Sequence, residues 1–122
     1  MTYFPNNPNG QAIMANSAPV TIASDQSAVP TFPKSSTATL TNVNSSATTV
    51  TVLASNASRK GAQIFNDSTQ VLYLKFGATA STSSYTVQLA ASAYYEVPAG
   101  YTGIIDGIWA SANGAARVTE ET

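Results

Sequence analysis

Short runs of alternating apolar and polar residues, each closed by a turn signal, recur along residues 35–122. No segment carries a helical period. A chain with this pattern must bury one side of each short strand against another sheet, which points to a β-sandwich or barrel. Thr37 to Val43 alternates, with Ala38, Leu40 and Asn42 on one face and Thr39, Thr41 and Val43 on the other. Thr48 to Ala54 alternates again, with Val50, Val52 and Ala54 opposed by Thr49, Thr51 and Leu53. Ala62 to Phe65 reads as a strand, followed by an Asx-type turn at Asn66-Asp67-Ser68-Thr69. Val71 to Phe76 is almost wholly apolar and is expected to be a central strand, paired with its predecessor in a hairpin.

Tyr85 to Leu89 and Tyr94 to Val97 read as a second hairpin. Gly103 to Trp109 reads as a strand with a glycine that marks a candidate bulge. Asn113-Gly114 is the strongest short hairpin signal, leading into Ala115 to Thr119. The count is about eight strands, and the predicted fold is all-β: an antiparallel β-sandwich, jelly-roll-like, over residues 35–122. Ala-rich pieces such as Ala90-Ala91 are far shorter than the roughly 12 residues an isolated helix needs.

Residues 1–34 differ. They hold five of the six prolines, Pro5, Pro8, Pro19, Pro30 and Pro33, and little periodic apolar sequence. Prolines at this density block helices and central strands. The segment reads as an extended Pro-rich N-terminal arm that lies on another surface, with Ala18-Pro19-Val20-Thr21-Ile22-Ala23 as one short strand.

Composition narrows the function. Charged residues are only 9% of the chain, against roughly 25% in ordinary soluble domains. Five cations and six carboxylates give a net charge of -1, too little basic charge for a nucleic-acid surface. The 31 Ser and Thr residues suit solvent-facing strand positions. With no Cys and no His, disulfides, thiol nucleophiles, Cys-based zinc sites and imidazole triads are excluded. No run of about 18 apolar residues encodes a membrane span. The first residues lack a basic stretch followed by an apolar run, so synthesis in a cytoplasm is expected.

Individual residues add little chemistry. Asp106 lies between Ile105 and Gly107 and reads as a polar strand residue bonded to a backbone N–H, not as a catalytic carboxylate. A Ser–Lys dyad would need one serine held against Lys34, Lys60 or Lys75, and no Gly-x-Ser-x-Gly elbow supports it. Arg59-Lys60 reads as a solvated basic pair in a loop. Tyr94, Tyr95, Tyr101 and Trp109 could form a sugar platform, but core or subunit-interface roles fit better. Adjacent Tyr94 and Tyr95 must point to opposite faces of their strand. No phosphate loop or metal spacing appears, and no enzyme activity or cofactor is expected.

Two stretches resemble structural proteins of tailed bacteriophage virions. One is Asn7-Pro8-Asn9-Gly10-Gln11-Ala12 with Asn16 to Val20 and Ile22 to Pro30. The other comprises Ile64 to Ser68, Leu72 to Gly77, Tyr94 to Pro98, Gly100 to Gly103 and Ile108-Trp109. The resemblance implies a capsid decoration (cement) protein that binds the outer surface of the expanded capsid, made in the host bacterial cytoplasm. The implied partner is the major capsid protein, the implied assembly a homotrimer, with neither nucleic acid nor membrane involved. Within that picture the arm residues Pro19, Val20, Ile22 and Pro30 are expected at the lattice, and Tyr94, Tyr101 and Trp109 at the trimer interface. The alternatives are a head- or tail-attached fibre or neck protein, and a receptor tip that binds a surface glycan.

Overall fold

A computed structural model describes residues 33–122. The arm expected over residues 1–34, with Pro19, Val20, Ile22 and Pro30, lies outside the described residues except for Pro33 and Lys34. The described chain is all-β. Its strands are β1 (Ala38–Asn44), β2 (Val50–Leu53), β3 (Gly61–Asp67), β4 (Leu72–Phe76), β5 (Val87–Leu89), β6 (Tyr94–Val97), β7 (Ile105–Trp109) and β8 (Ala115–Glu121).

They form two antiparallel sheets of four strands, in the orders β1-β8-β3-β6 and β2-β7-β4-β5. The pairings β1 with β8, β2 with β7, β3 with β6 and β4 with β5 are nested, as in one long hairpin folded over on itself. Two further pairings, β3 with β8 and β4 with β7, join the nested pairs into sheets. Every connection except β4–β5 passes from one sheet to the other. This is a jelly-roll sandwich.

The core follows from alternation. In β3, Ala62, Ile64 and Asn66 point inward while Gln63, Phe65 and Asp67 point out. Leu72 and Leu74 of β4, Ile105 and Trp109 of β7, Leu89 of β5, Val97 of β6 and Ala116 and Val118 of β8 fill the space between the sheets. Tyr95 packs inward and Tyr94 is exposed, so the two tyrosines diverge as their adjacency requires.

Three expectations are corrected. The β3–β4, β5–β6 and β7–β8 connections are not hairpins, because each crosses between sheets. At the β7–β8 turn Gly114 has φ +83, and a side chain there would overlap the Asp67 carbonyl oxygen. Glycine is therefore required by the crossing itself. A turn signal dictates that the chain reverses, while core burial decides which sheet receives the next strand.

Gly107 does not mark a bulge, since β4 and β7 pair through it without a shift. The register break lies opposite, in β2 between Thr51 and Leu53, and it turns both Val52 and Leu53 inward. Gly107 is small because a Cβ there would come within 2.6 Å of Val52 Cγ2 and 3.0 Å of Leu72 Cδ1. Gly107→Ala should therefore destabilise the domain by about 1–3 kcal/mol through overpacking, measured by urea unfolding. Stability equal to that of the unsubstituted chain would show that this contact is slack.

Candidate functional site

Buried polar groups in a fold are either internal fastenings or reactive sites. Asn66 is fully buried between the sheets, near the end of β3. Its Nδ2 donates to the carbonyl oxygens of Gln70 at 2.8 Å, Leu89 at 3.0 Å and Ala90 at 3.0 Å. Its Oδ1 accepts from Ser68 Oγ at 2.7 Å and from Trp109 Nε1 at 3.1 Å. The residue thus links β3 in one sheet to β5 and β7 in the other. The expected Asx turn exists in part: Asn66 lies inside β3, and its amide reaches along the turn to Gln70 as well as inward to Leu89.

Arg59 is the second fastening. It is buried, which corrects the solvated-loop reading. Its Nε pairs with Glu120 Oε1 at 2.7 Å. Nη1 donates to the carbonyls of Tyr101 at 3.2 Å and Gly103 at 2.8 Å, and Nη2 donates to that of Ala54. A planar guanidinium can hold four acceptors at fixed angles, which lysine cannot. The guanidinium ties the β2–β3 and β6–β7 loops to β8. Lys60, its neighbour, only reaches the Ser58 carbonyl at the surface.

Asp106 behaves as a polar strand residue bonded to backbone. Its Oδ2 accepts from Thr79 N at 2.7 Å and its Oδ1 from Thr51 Oγ1 at 3.0 Å. These bonds pin the β4–β5 loop, where Thr79 holds φ 61. No buried side-chain polar atom lacks a partner among the described residues. No cluster of His, Cys, Asp and Glu suited to a metal occurs among them either.

Two sequence-predicted interface residues are relocated. Trp109 is 1% exposed and belongs to the core, where its indole N–H is taken by Asn66. A trimer contact through its ring would require the sandwich to open. Tyr101 packs against the core, stacked on Phe76 at 4.6 Å, and its hydroxyl donates to the Ile104 carbonyl at 2.9 Å. Its ring is thus committed to holding the β6–β7 loop. Tyr94 is 64% exposed and remains a surface residue.

Tyr94 sits on the outer face of β1-β8-β3-β6, which carries three of the four large exposed apolar side chains among the described residues. Register gives its rows: Leu40, Thr119, Gln63 and Glu96, then Asn42, Arg117, Phe65 and Tyr94. Phe65 and Tyr94 are cross-strand neighbours, and Leu40 is 79% exposed. Arg117 is neutralised by Asp67 at 2.9 Å. A groove of about 480 Å³ lies at the Pro33 end of this face, lined by Gly61, Gln63, Glu96 and Glu121 among others. Phe65 was legible in the sequence only as a strand residue, because its pairing with Tyr94 depends on the β3–β6 crossover.

The outer face of the second sheet carries a smaller aromatic pair. Tyr73 and Tyr85 meet edge to face at 5.0 Å, and Gln88 Nε2 donates to the Tyr85 hydroxyl at 2.8 Å.

A scan against protein-family models, a search of curated proteins and a search of solved structures each returned no match.

Removing either fastening should be costly. Arg59→Met should lower stability by about 3–5 kcal/mol, since it strips a buried ion pair of one partner. Asn66→Ala should cost at least about 3 kcal/mol, because it orphans the Trp109 N–H and several buried carbonyls. Guanidinium unfolding followed by Trp109 fluorescence checks both, and losses under 1 kcal/mol would show that water replaces these bonds.

Proposed function

We propose that this chain is a decoration protein of a tailed-bacteriophage capsid, made in the host cytoplasm and bound to the outer surface of the expanded shell. The sequence stretches in residues 7–30 and 64–109 that resemble virion proteins motivate this reading. The structural observation that carries it is the outer face of β1-β8-β3-β6. It presents Phe65 and Tyr94 side by side as cross-strand neighbours, and its Arg117 is paired with Asp67. Paired exposed aromatics on a rigid sheet suit a protein–protein contact.

In this reading Tyr94 and Phe65 form the trimer contact in place of Tyr101 and Trp109. A threefold interface is heterologous, so the aromatic pair meets a different surface on the next copy. Pro19, Val20, Ile22 and Pro30 then contact the major capsid protein. Three arms on one trimer raise apparent affinity by avidity. Binding only the expanded lattice stabilises it by mass action, about 2.7 kcal/mol per site at a hundredfold excess over Kd.

One observation favours the glycan-binding alternative. The Tyr73–Tyr85 pair with Gln88 combines aromatic faces and an amide, the chemistry that sugars take. Loss of a glycan-array signal on Tyr85→Ala would support it.

The full chain should scatter light as three copies and sediment with expanded capsids. Phe65→Ser with Tyr94→Ser should leave the thermal midpoint within a few degrees, yield monomers, and weaken capsid binding by about a hundredfold through lost avidity. A wild-type chain that ignores expanded capsids would overturn the decoration reading. A double variant that stays trimeric would move the interface elsewhere.

A further inference from the structure

Among the described residues, Tyr73 and Tyr85 are the one pair of tyrosine rings in contact. Tyr95 and Tyr101 each lie against Phe76, and Tyr94 is the cross-strand neighbour of Phe65. A phenol against a phenol has a chemistry that a phenol against phenylalanine lacks. One-electron oxidation joins two tyrosine rings through the carbons next to their hydroxyl groups.

The geometry suits that coupling. The ring centroids are 5.0 Å apart, with 62° between the ring planes. Edge-to-face rings at that separation bring carbons of one to about 3.5–4.0 Å from the other, which is van der Waals contact. Gln88 lies directly opposite Tyr73 in the β4–β5 ladder, and its Nε2 donates to the Tyr85 hydroxyl at 2.8 Å. The hydroxyl end of Tyr85, which carries the reactive carbons, is thereby anchored on the cross-strand neighbour of Tyr73. Tyr85 precedes β5 in the loop and is 40% exposed, so its ring can turn and an oxidant can reach it.

We propose that Tyr73 and Tyr85 form an oxidative cross-linking site, converted to an intramolecular dityrosine by a peroxidase–peroxide couple or another one-electron oxidant. Each phenol gives up one electron and its hydroxyl proton. The two radicals then form one C–C bond, and the hydrogens on the bonded carbons move to the oxygens as the rings regain aromaticity. The two electrons and two protons reduce one hydrogen peroxide to two waters.

The bridge joins β4 to the start of β5, the three-residue strand at the edge of its sheet. It closes the loop in which Gly77 holds φ 119 and Thr79 holds φ 61. Like a disulfide, such a closure restricts the unfolded chain. A chain with no cysteine thereby gains a covalent fastening at the shortest of its described strands. Cross-linking within one chain is independent of capsid binding.

The test treats the full chain with hydrogen peroxide and a haem peroxidase at two protein concentrations. Dityrosine fluorescence is read in the single-chain band of a denaturing gel. The signal per chain should be equal at both concentrations, because the reacting groups are already held together. Tyr73→Phe and Tyr85→Phe keep both rings and should each lower it by about tenfold or more. Tyr94→Phe should leave it unchanged. Cleavage after Lys75 separates the two tyrosines, so peptide mass mapping should find their peptides joined. Thermal midpoints within a few degrees of the unsubstituted chain check that the variants are folded. A single chain without dityrosine would overturn the proposal. So would a signal that survives Tyr85→Phe, a bridge mapped to other tyrosines, or cross-links found only between chains.

Discussion

The sandwich depends on the amide of Asn66. Most connections of a jelly roll cross from sheet to sheet, and at one end the turns after β3 and β5 bring the carbonyls of Gln70, Leu89 and Ala90 into the interior. Backbone groups buried there must find partners or oppose folding. A leucine at position 66 would fill the volume and leave those carbonyls stranded. The asparagine amide serves them and turns its oxygen to Trp109, the largest fully buried side chain. The two sheets are thus fixed by a directional polar contact as well as by non-directional apolar packing. Arg59 does the equivalent work at the other side chain–backbone knot, joining two loops to β8.

Much of this was legible along the chain. The eight strands, the alternation of Ala62, Ile64 and Asn66 against Gln63, Phe65 and Asp67, and the interior place of Leu72 and Leu74 follow from local pattern. The partner of each strand did not. Asn113-Gly114 specifies a tight reversal, but a reversal within one sheet and a reversal between two sheets use the same residues. Jelly-roll pairing is nested, so β1 meets β8 across almost the whole sequence, beyond the reach of local reasoning. Arg59 and Trp109 were misplaced for a related reason. A basic residue in a polar loop and an aromatic near a chain end look exposed until long-range closure brings Glu120 to one and Asn66 to the other.

The candidate surface followed the same rule. Tyr94 was identifiable because it adjoins Tyr95 and the pair must diverge, whereas Phe65 gained its role only through the β3–β6 register. With Trp109 in the core and Tyr101 packed against it, the large exposed apolar residues of this sheet are Leu40, Phe65 and Tyr94, all on its outer face. Among the described residues the interior of the sandwich is saturated, and this face carries three of the four large exposed apolar side chains. A rigid domain loses little conformational entropy on binding, so its contacts convert more fully into affinity.

The most direct test of the decoration account is the copy number of this chain per purified virion, by quantitative mass spectrometry against the major capsid protein. The account predicts a lattice-wide stoichiometry, one copy per capsid subunit or a simple fraction of that. A handful of copies per particle, or none, would contradict it.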